Sequence, residues 1–179
     1  MGAGVILDDR LLRGASGGTG EIGFLAVPGT GGIPSAQGCD YGFEALAGSR
    51  AVCDLARRHG IGDSPRNDPS AAAVAVRAAL AQGEPGYEFL DELAANIALG
   101  AHNICVVLDP GCLVLGGQVG RAGGRGLADR GAARLTELSP LPTEVRPSQV
   151  TGSAVLAGAV LAALDAARDD LFGPRAHRG

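Results

Sequence analysis

Two carboxylates stand in glycine-rich surroundings. Glu21 lies in Gly20-Glu21-Ile22-Gly23-Phe24, and Glu44 follows Gly42-Phe43. An ionised carboxylate accepts through two oxygens, so it can take hydrogen bonds from two adjacent hydroxyls at once. Two such groups lining one cleft suit a sugar. Each also has a plainer reading. Glu21 can be a solvated strand end, and Glu44 can be a first-turn carboxylate favoured by the positive end of a helix dipole. On the residues alone those plainer readings come first. A third feature is "LVLGGQVG", residues 113–120. A glycine-rich turn past the carboxyl end of a strand lets a ligand approach the backbone. It is equally a plain tight turn. Its spacing is not G-x-G-x-x-G, and the chain has no G-x-x-x-x-G-K-[ST], so no Rossmann or P-loop site is supported.

Composition narrows the classes. The 179 residues are 46% hydrophobic and 19% charged, which is globular rather than disordered. The net charge of −4 and the absence of a basic stripe argue against direct nucleic-acid binding. The arginines cluster only in the tail "PRAHRG", which reads as a solvated terminus. The longest uncharged apolar stretch, Ala154 to Leu164, is too short to span a bilayer. The N-terminus has no basic region followed by a cleavage site, so it is no signal peptide, and a cytoplasmic location is the default. Cys39, Cys53, Cys105 and Cys112 form no C-x-x-C pair, and reduced thiols are expected. Cys53, Cys105 and Cys112 sit in apolar runs and read as small core residues. Cys39 lies in a glycine-rich loop. His59, His102 and His177 are far apart in sequence and read as structural or surface residues.

The thirty glycines concentrate in residues 14–48 and 111–131, which should therefore be loops and tight turns. The elements that must position the carboxylates follow from periodicity. "GAGVILDDRLLRG" predicts two short strands around Asp8-Asp9-Arg10, and "EIGFLAV" a third. Residues 28–42 are turn chemistry throughout. A helix is expected from Phe43, with Leu46, Val52, Cys53, Leu55 and Ala56 on its apolar face. A second helix is expected over Ser70 to Gln82 with Ser70 as N-cap. In "YEFLDELAANIALGAHNICVVLD", Leu90, Leu93, Ala94, Ile97, Ala101 and Ile104 step by three or four and define one helical face. Asp109-Pro110 ends it. "CLVLGG" predicts a buried strand, "ARLTEL" a helix stopped by Pro140 and Pro142, and "TEVRPS" a modest strand. Thr151 to Leu171 predicts a last helix with Val155, Ala159, Val160, Ala163 and Leu164 inward, stopped by Gly173-Pro174. A β-meander, then helices, then α-β-α-β-α is an α/β layer architecture.

These pieces in this order resemble the ROK family, named for repressors, open reading frames and kinases. "GAGVILDDRLLRGASGGTGEIGF" is similar to the family's glycine-rich phosphate segment, its hairpin and its G-E-x-G-H motif. "SAQGCDYGFEALAG" falls where the family carries C-x-C-G-x-x-G-C-x-E. "VVLDPGCLVLGG" resembles its L-D-P…I-V-L-G-G segment, and "TGSAVLAGAVLAALDAARDDLF" its closing helix. The resemblance spans essentially all 179 residues. It implies the C-terminal lobe of an actin-like, ribonuclease-H-like fold over residues 1–179. It implies sugar contacts at Glu21 and Glu44. It places Gly116 and Gly117 at the turn near a nucleotide's adenosine, and Gly2 and Gly4 in the remnant of the phosphate segment, together a vestigial nucleotide site.

The departures matter as much. The family's His of G-E-x-G-H, a sugar contact and zinc ligand, is Phe24 here, and aligning on Glu44 turns its three zinc cysteines into Ser35, Gln37 and Gly42. A structural zinc needs four N or S ligands, so no metal and no cofactor is expected. The family's D-x-G-G-T phosphate loop and catalytic Asp motif do not occur in this sequence, and phosphoryl transfer depends on both. No catalytic residue is expected, and the chain is read as a truncated lobe. The implied function is the sugar-sensing lobe of a ROK-type transcriptional regulator, with DNA binding supplied by a segment outside this chain. The alternatives are a fragment of an ATP-dependent, glucokinase-like sugar kinase, and a vestigial inactive product. The expected partners are a weakly bound sugar or sugar phosphate and further copies of the chain, with no direct nucleic acid and no membrane.

Overall fold

The computed structural model opens on a hairpin. Asp8 and Asp9 both take left-handed backbone angles, φ 50° and 58°, as a two-residue turn between right-twisted strands requires. They join β1, Ile6–Leu7, to β2, Arg10–Leu11, with Leu7 opposite Arg10 and Ile6 opposite Leu11. The structure describes residues 1–62 and 69–173. The tail "PRAHRG" with His177, the stop at Pro174 and most of the break after His59 lie outside the described residues. Two compact units make up the chain, Met1–Ser148 and Gln149–Gly179.

The third strand expected from "EIGFLAV" does not form. Gly20 turns the chain at φ 93° and its carbonyl accepts from the Ile22 amide at 2.7 Å, so residues Ile22–Phe24 coil into a 3-10 helix. Only Ala26 keeps a strand-like bridge, to Gly42. The meander is thus a hairpin followed by a turn. The helix expected from Phe43 divides at Gly48, whose ψ of 164° is extended, into α1, Glu44–Ala47, and α2, Ser49–Arg58. α3 runs Pro69–Gln82, so Ser70 lies inside the helix rather than at its N-cap.

α4, Glu84–Leu108, is the long helix that the periodicity promised, closed by Asp109 in the left-handed region. β3, Cys112–Leu115, pairs in parallel with β4, Glu144–Pro147. β3 is not a buried strand: Val114 is 61% exposed, and Cys112, Leu113 and Leu115 are only half-buried. α5, Gly117–Leu138, starts far upstream of "ARLTEL" and bends at Gly124, where φ is 50°. Its glycines hid it. Several are packing positions; a side chain at Gly120 would collide with Leu115.

The core of the first unit lies where α2, α3, α4 and α5 meet. Val52, Leu55, Val76, Phe89, Leu90, Leu93 and Leu127 are all 1% exposed or less. Burying each such side chain contributes roughly 1.5–3 kcal/mol. Polar contacts fix the helix registers. The Arg130 guanidinium sits 4.5 Å over the Tyr87 ring and donates to Asp91 at 2.8 Å. Glu92 meets Arg58 and His59, each at 2.8 Å. Those partners, the His59 bond first, hold the Glu92 carboxyl below its ordinary 4.5.

In the second unit, α6, Ala154–Phe172, is capped by Ser153, whose hydroxyl accepts from the Leu156 amide. Within this unit no other described element covers the face that was expected to point inward. Val155, Val160 and Leu164 are 85%, 49% and 61% exposed, and no residue of α6 is buried. Helical periodicity marks an apolar stripe; it does not supply the surface that covers one. Among the described residues no helix is long and apolar enough to cross a membrane.

Candidate functional site

Glu44 is the first residue of α1, where the exposed amides and the helix dipole favour a negative charge. Its Oε2 pairs with the Met1 amino group. Two glycines leave it room. A Cβ at Gly23 would lie 3.2 Å from Oε2, and one at Gly48 would collide with Oε1. The carboxylate is therefore seated between the 3-10 helix and the start of α2, with 32% of its side chain exposed. The first-turn reading of Glu44 is correct, and it does not compete with a cleft-facing one.

Glu21 is the residue just before the 3-10 helix, exposed, and its side chain has no hydrogen-bond partner among the described residues. It is not a strand end. Gly20 explains its setting: a Cβ there would strike the Ala3 carbonyl, and the Ala3 amide donates to the Gly20 oxygen at 2.8 Å. The segment before the hairpin is thereby laced to the turn that carries Glu21. Gly42 does the same on the other side, pressed so close to the Gly23 carbonyl that no side chain fits. Phe43, Val27 and Ala47, with Ile22 and Leu25 against them, form a small apolar cluster. Phe24 stays 42% exposed beside them.

A groove of about 810 Å³ opens next to Glu44. It is lined by residues 1–7, by α4 through Ile97, Ala101, Ile104 and Leu108, and by residues 112–120. Gly2, Gly4, Glu44, Gly116 and Gly117 all line it, so the structure brings together five of the six residues that the sequence singled out. Glu21 does not line it. Gly117 has φ 68°, and a Cβ at Gly116 or Gly117 would meet nothing within 4 Å, so the turn into α5 presents bare backbone to open space. Sequence reasoning missed the groove floor. Ile97, Ala101 and Ile104 were expected in the core with Leu90 and Leu93, and they are only half-buried. It also missed Ser49 and Gln118, polar liners that each directly follow a glycine at a helix start.

Ser35, Gln37, Gly42 and Phe24 do not fit a zinc ion. Ser35 and Gly38 exchange backbone hydrogen bonds at 3.0 and 3.1 Å, the Ser35 hydroxyl accepts from the Gln37 amide, and the Gly42 amide donates to Cys39. The loop closes on itself with ordinary hydrogen bonds. The Asn103 side chain donates to the Ala26 carbonyl at 3.1 Å and ties the adjoining strand-like residue to α4. Among the described residues no group of three or more His, Cys, Asp or Glu could hold a metal ion. Cys53 and Cys105 are buried as expected, whereas Cys112 is only half-buried, on the groove wall.

The chain is similar to known proteins over most of its length. It is 31% identical over 124 residues to the bifunctional enzyme NanE/NanK of Brucella melitensis, covering 69% of this chain and 21% of that one. Among solved structures, the ROK hexokinase of Thermus thermophilus superposes with a TM-score of 0.68 at 26% identity, over 94% of this chain and 55% of its own. A ROK family transcriptional regulator, a homolog of the E. coli MLC protein, superposes with a TM-score of 0.64 at 22% identity, over 89% of this chain and 42% of its own. The chain thus spans about a fifth of the curated relative and about half of these structures. Its α/β fold is that of the ROK sugar kinases, which have the actin-like ATPase fold. The sequence model of the ROK family matches residues 1–165, and the chain belongs to the ROK family.

Proposed function

We propose that the chain is the sugar-sensing, C-terminal lobe of a ROK-family transcriptional regulator. One observation carries the reading. Both glutamates are retained, Glu44 seated between Gly23 and Gly48 on the groove and Glu21 exposed on the turn before the 3-10 helix, while Phe24 stands where the family's G-E-x-G-H motif has His. A regulator must bind and switch; it does not need the group set that phosphoryl transfer demands. Glu21 and Glu44 accept from sugar hydroxyls. Gly2, Gly4, Gly116 and Gly117 are the remains of a nucleotide site. The lobe carries no DNA-binding role of its own, works in the cytoplasm and associates with further copies of itself. The sugar is half exposed on a single lobe, which places its affinity in the millimolar range.

The test is calorimetric titration with D-glucose and N-acetylmannosamine as probes, on the natural chain and on Glu21→Gln and Glu44→Gln. Each substitution should weaken whichever sugar binds. Unchanged affinity in both removes these residues from the site. A second reading, one lobe of an ATP-dependent sugar kinase, is favoured by the similarity to a ROK hexokinase. In a coupled ADP-release assay with the same sugars, absence of turnover is expected of a single lobe on either reading, so only a positive result discriminates. The regulator reading expects no turnover, and turnover above a mock preparation contradicts it.

A further inference from the structure

The short 3-10 turn after Gly20 sets an aromatic ring beside an unpaired carboxylate. The Phe24 amide donates to the Glu21 carbonyl at 3.2 Å, which closes the turn. A closed four-residue turn brings its first and last Cα atoms within about 7 Å, and side chains three apart on a 3-10 helix stand one above the other. Glu21 and Phe24 are therefore neighbours on one side of the turn. The two residues between them are used elsewhere. Ile22 packs on the apolar cluster of Val27, Phe43 and Ala47. Gly23 is buried and faces Glu44, whose Oε2 would lie 3.2 Å from a Cβ there. Both members of the pair stay in water: Glu21 is exposed, and Phe24 is 42% exposed.

Two features of the pair select for charge. The Glu21 side chain has no hydrogen-bond or ion-pair partner among the described residues, so its negative charge is open to a ligand. The phenyl ring of Phe24 has neither donor nor acceptor, and a hydroxyl pressed against it would give up water for nothing. What a ring face attracts is a cation. An ammonium group meets both demands at once. It lies over the ring and donates a charge-assisted hydrogen bond to the carboxylate. A histidine at this position, as in G-E-x-G-H, offers a hydroxyl a hydrogen bond and, when protonated, repels a cation. Phe24 reverses both preferences.

We infer that the ligand of this platform is a cationic amino sugar, a hexose with an ammonium group in place of one hydroxyl, and that the ammonium is held between the Glu21 carboxylate and the Phe24 ring. The inference rests on the sugar-binding reading above and narrows it. Glu44, on the groove, takes hydroxyls, and the Glu21–Phe24 pair selects the charged nitrogen. A neutral sugar can lay its C–H face on the same ring, so the effect of charge has to be separated from that of stacking.

The experiment is calorimetric titration at about pH 6 with D-glucosamine, N-acetyl-D-glucosamine and D-glucose, on the natural chain, Phe24→Leu and Glu21→Gln. An amine among oxygen-bearing carbons titrates near the α-amino range, about 7.7–8.0, so D-glucosamine is charged there. Its N-acetyl form keeps the nitrogen and loses the charge. The natural chain should bind D-glucosamine at least about fivefold more tightly than either neutral sugar. Phe24→Leu keeps an apolar side chain at an exposed position and should fold normally. It should cut that preference about two- to fivefold, the span of an exposed cation–π contact, and leave the affinity for D-glucose nearly unchanged. Glu21→Gln should abolish the preference. Equal affinity for D-glucosamine and D-glucose overturns the inference and leaves the sugar-binding reading standing. A preference that survives intact in Phe24→Leu overturns it too, because the ring is then no part of the selection. Tighter binding of N-acetyl-D-glucosamine than of D-glucosamine makes the ring an apolar seat and likewise overturns it. Saturable binding of none of the three removes the platform itself, and the inference with it.

Discussion

The two halves of α4 carry one apolar stripe and lead two different lives. Phe89, Leu90, Leu93 and Ala94 are wholly buried under α2, α3 and α5. Ile97, Ala101, Ile104 and Leu108 continue the same face at the same spacing and form the floor of an open groove. Nothing in the local sequence distinguishes the halves. What differs is the covering layer: helices over the first, and strand edges flanking the second. A periodic stripe states a demand for burial, and the rest of the fold decides whether it is met.

The comparison breaks most visibly through core truncation. Leu93→Ala should cost about 3 kcal/mol, since the cavity it leaves is enclosed by packed helices. Ile104→Ala should cost under about 1 kcal/mol, since its neighbour is a groove and little new cavity forms. Chemical denaturation of the two variants reads the difference directly. Equal costs would mean that the second half is as well covered as the first.

A smaller effect is expected where the glutamate platform meets the groove. Gly42→Ala forces a methyl against the Gly23 carbonyl and should destabilise by about 2 kcal/mol, a usual cost of overpacking. It should also move the Gly23 and Glu44 amide resonances, because the 3-10 helix must shift. Retained stability with unmoved resonances would show that the close approach is not what seats Glu44.

The smallest effect concerns the surface of α4 away from both halves of the stripe. Glu92 is 43% exposed, so its pairs with His59 and Arg58 are solvent-screened, and Glu92→Gln should cost under about 1 kcal/mol. The sign follows from the lowered carboxyl. Its folded pKa is below the unfolded value, so the contribution is complete above the unfolded value and is lost as pH falls through the folded one. The gap between the natural chain and Glu92→Gln should be present at neutral pH and close in acid. A gap that widens in acid contradicts the assignment.

Local chemistry was the legible part. Asp8-Asp9 between apolar residues foretold the hairpin, the three-four spacing foretold α4, and Glu44 after Gly42-Phe43 foretold a first-turn carboxylate. "EIGFLAV" misled because alternation is a strand signal only where the backbone stays extended, and Gly20 at φ 93° with its carbonyl bonded to Ile22 turns it. α5 was hidden because Gly120 and Gly123 read as loop residues when they are contact positions against Leu115 and Leu127. The inward face of α6 was inferred from a stripe alone. At the site, the sequence supplied Glu44 and the four glycines of the groove. The groove itself was illegible, because residues 1–7 form one wall while its floor, Ile97 to Leu108, and its other wall, residues 112–120, lie far along the chain.

The central claim is that the turn carrying Glu21 and the start of α1 carrying Glu44 together form a sugar-binding platform. It is tested most directly by titrating the ¹⁵N-labelled chain with D-glucose and with N-acetylmannosamine and mapping the amide shifts. The account expects saturable shifts from one of the two, concentrated at Glu21, Ile22, Gly23, Glu44 and Gly48, and their loss in Glu44→Gln. No saturable shift from either sugar, or shifts that persist unchanged in Glu44→Gln, would contradict it.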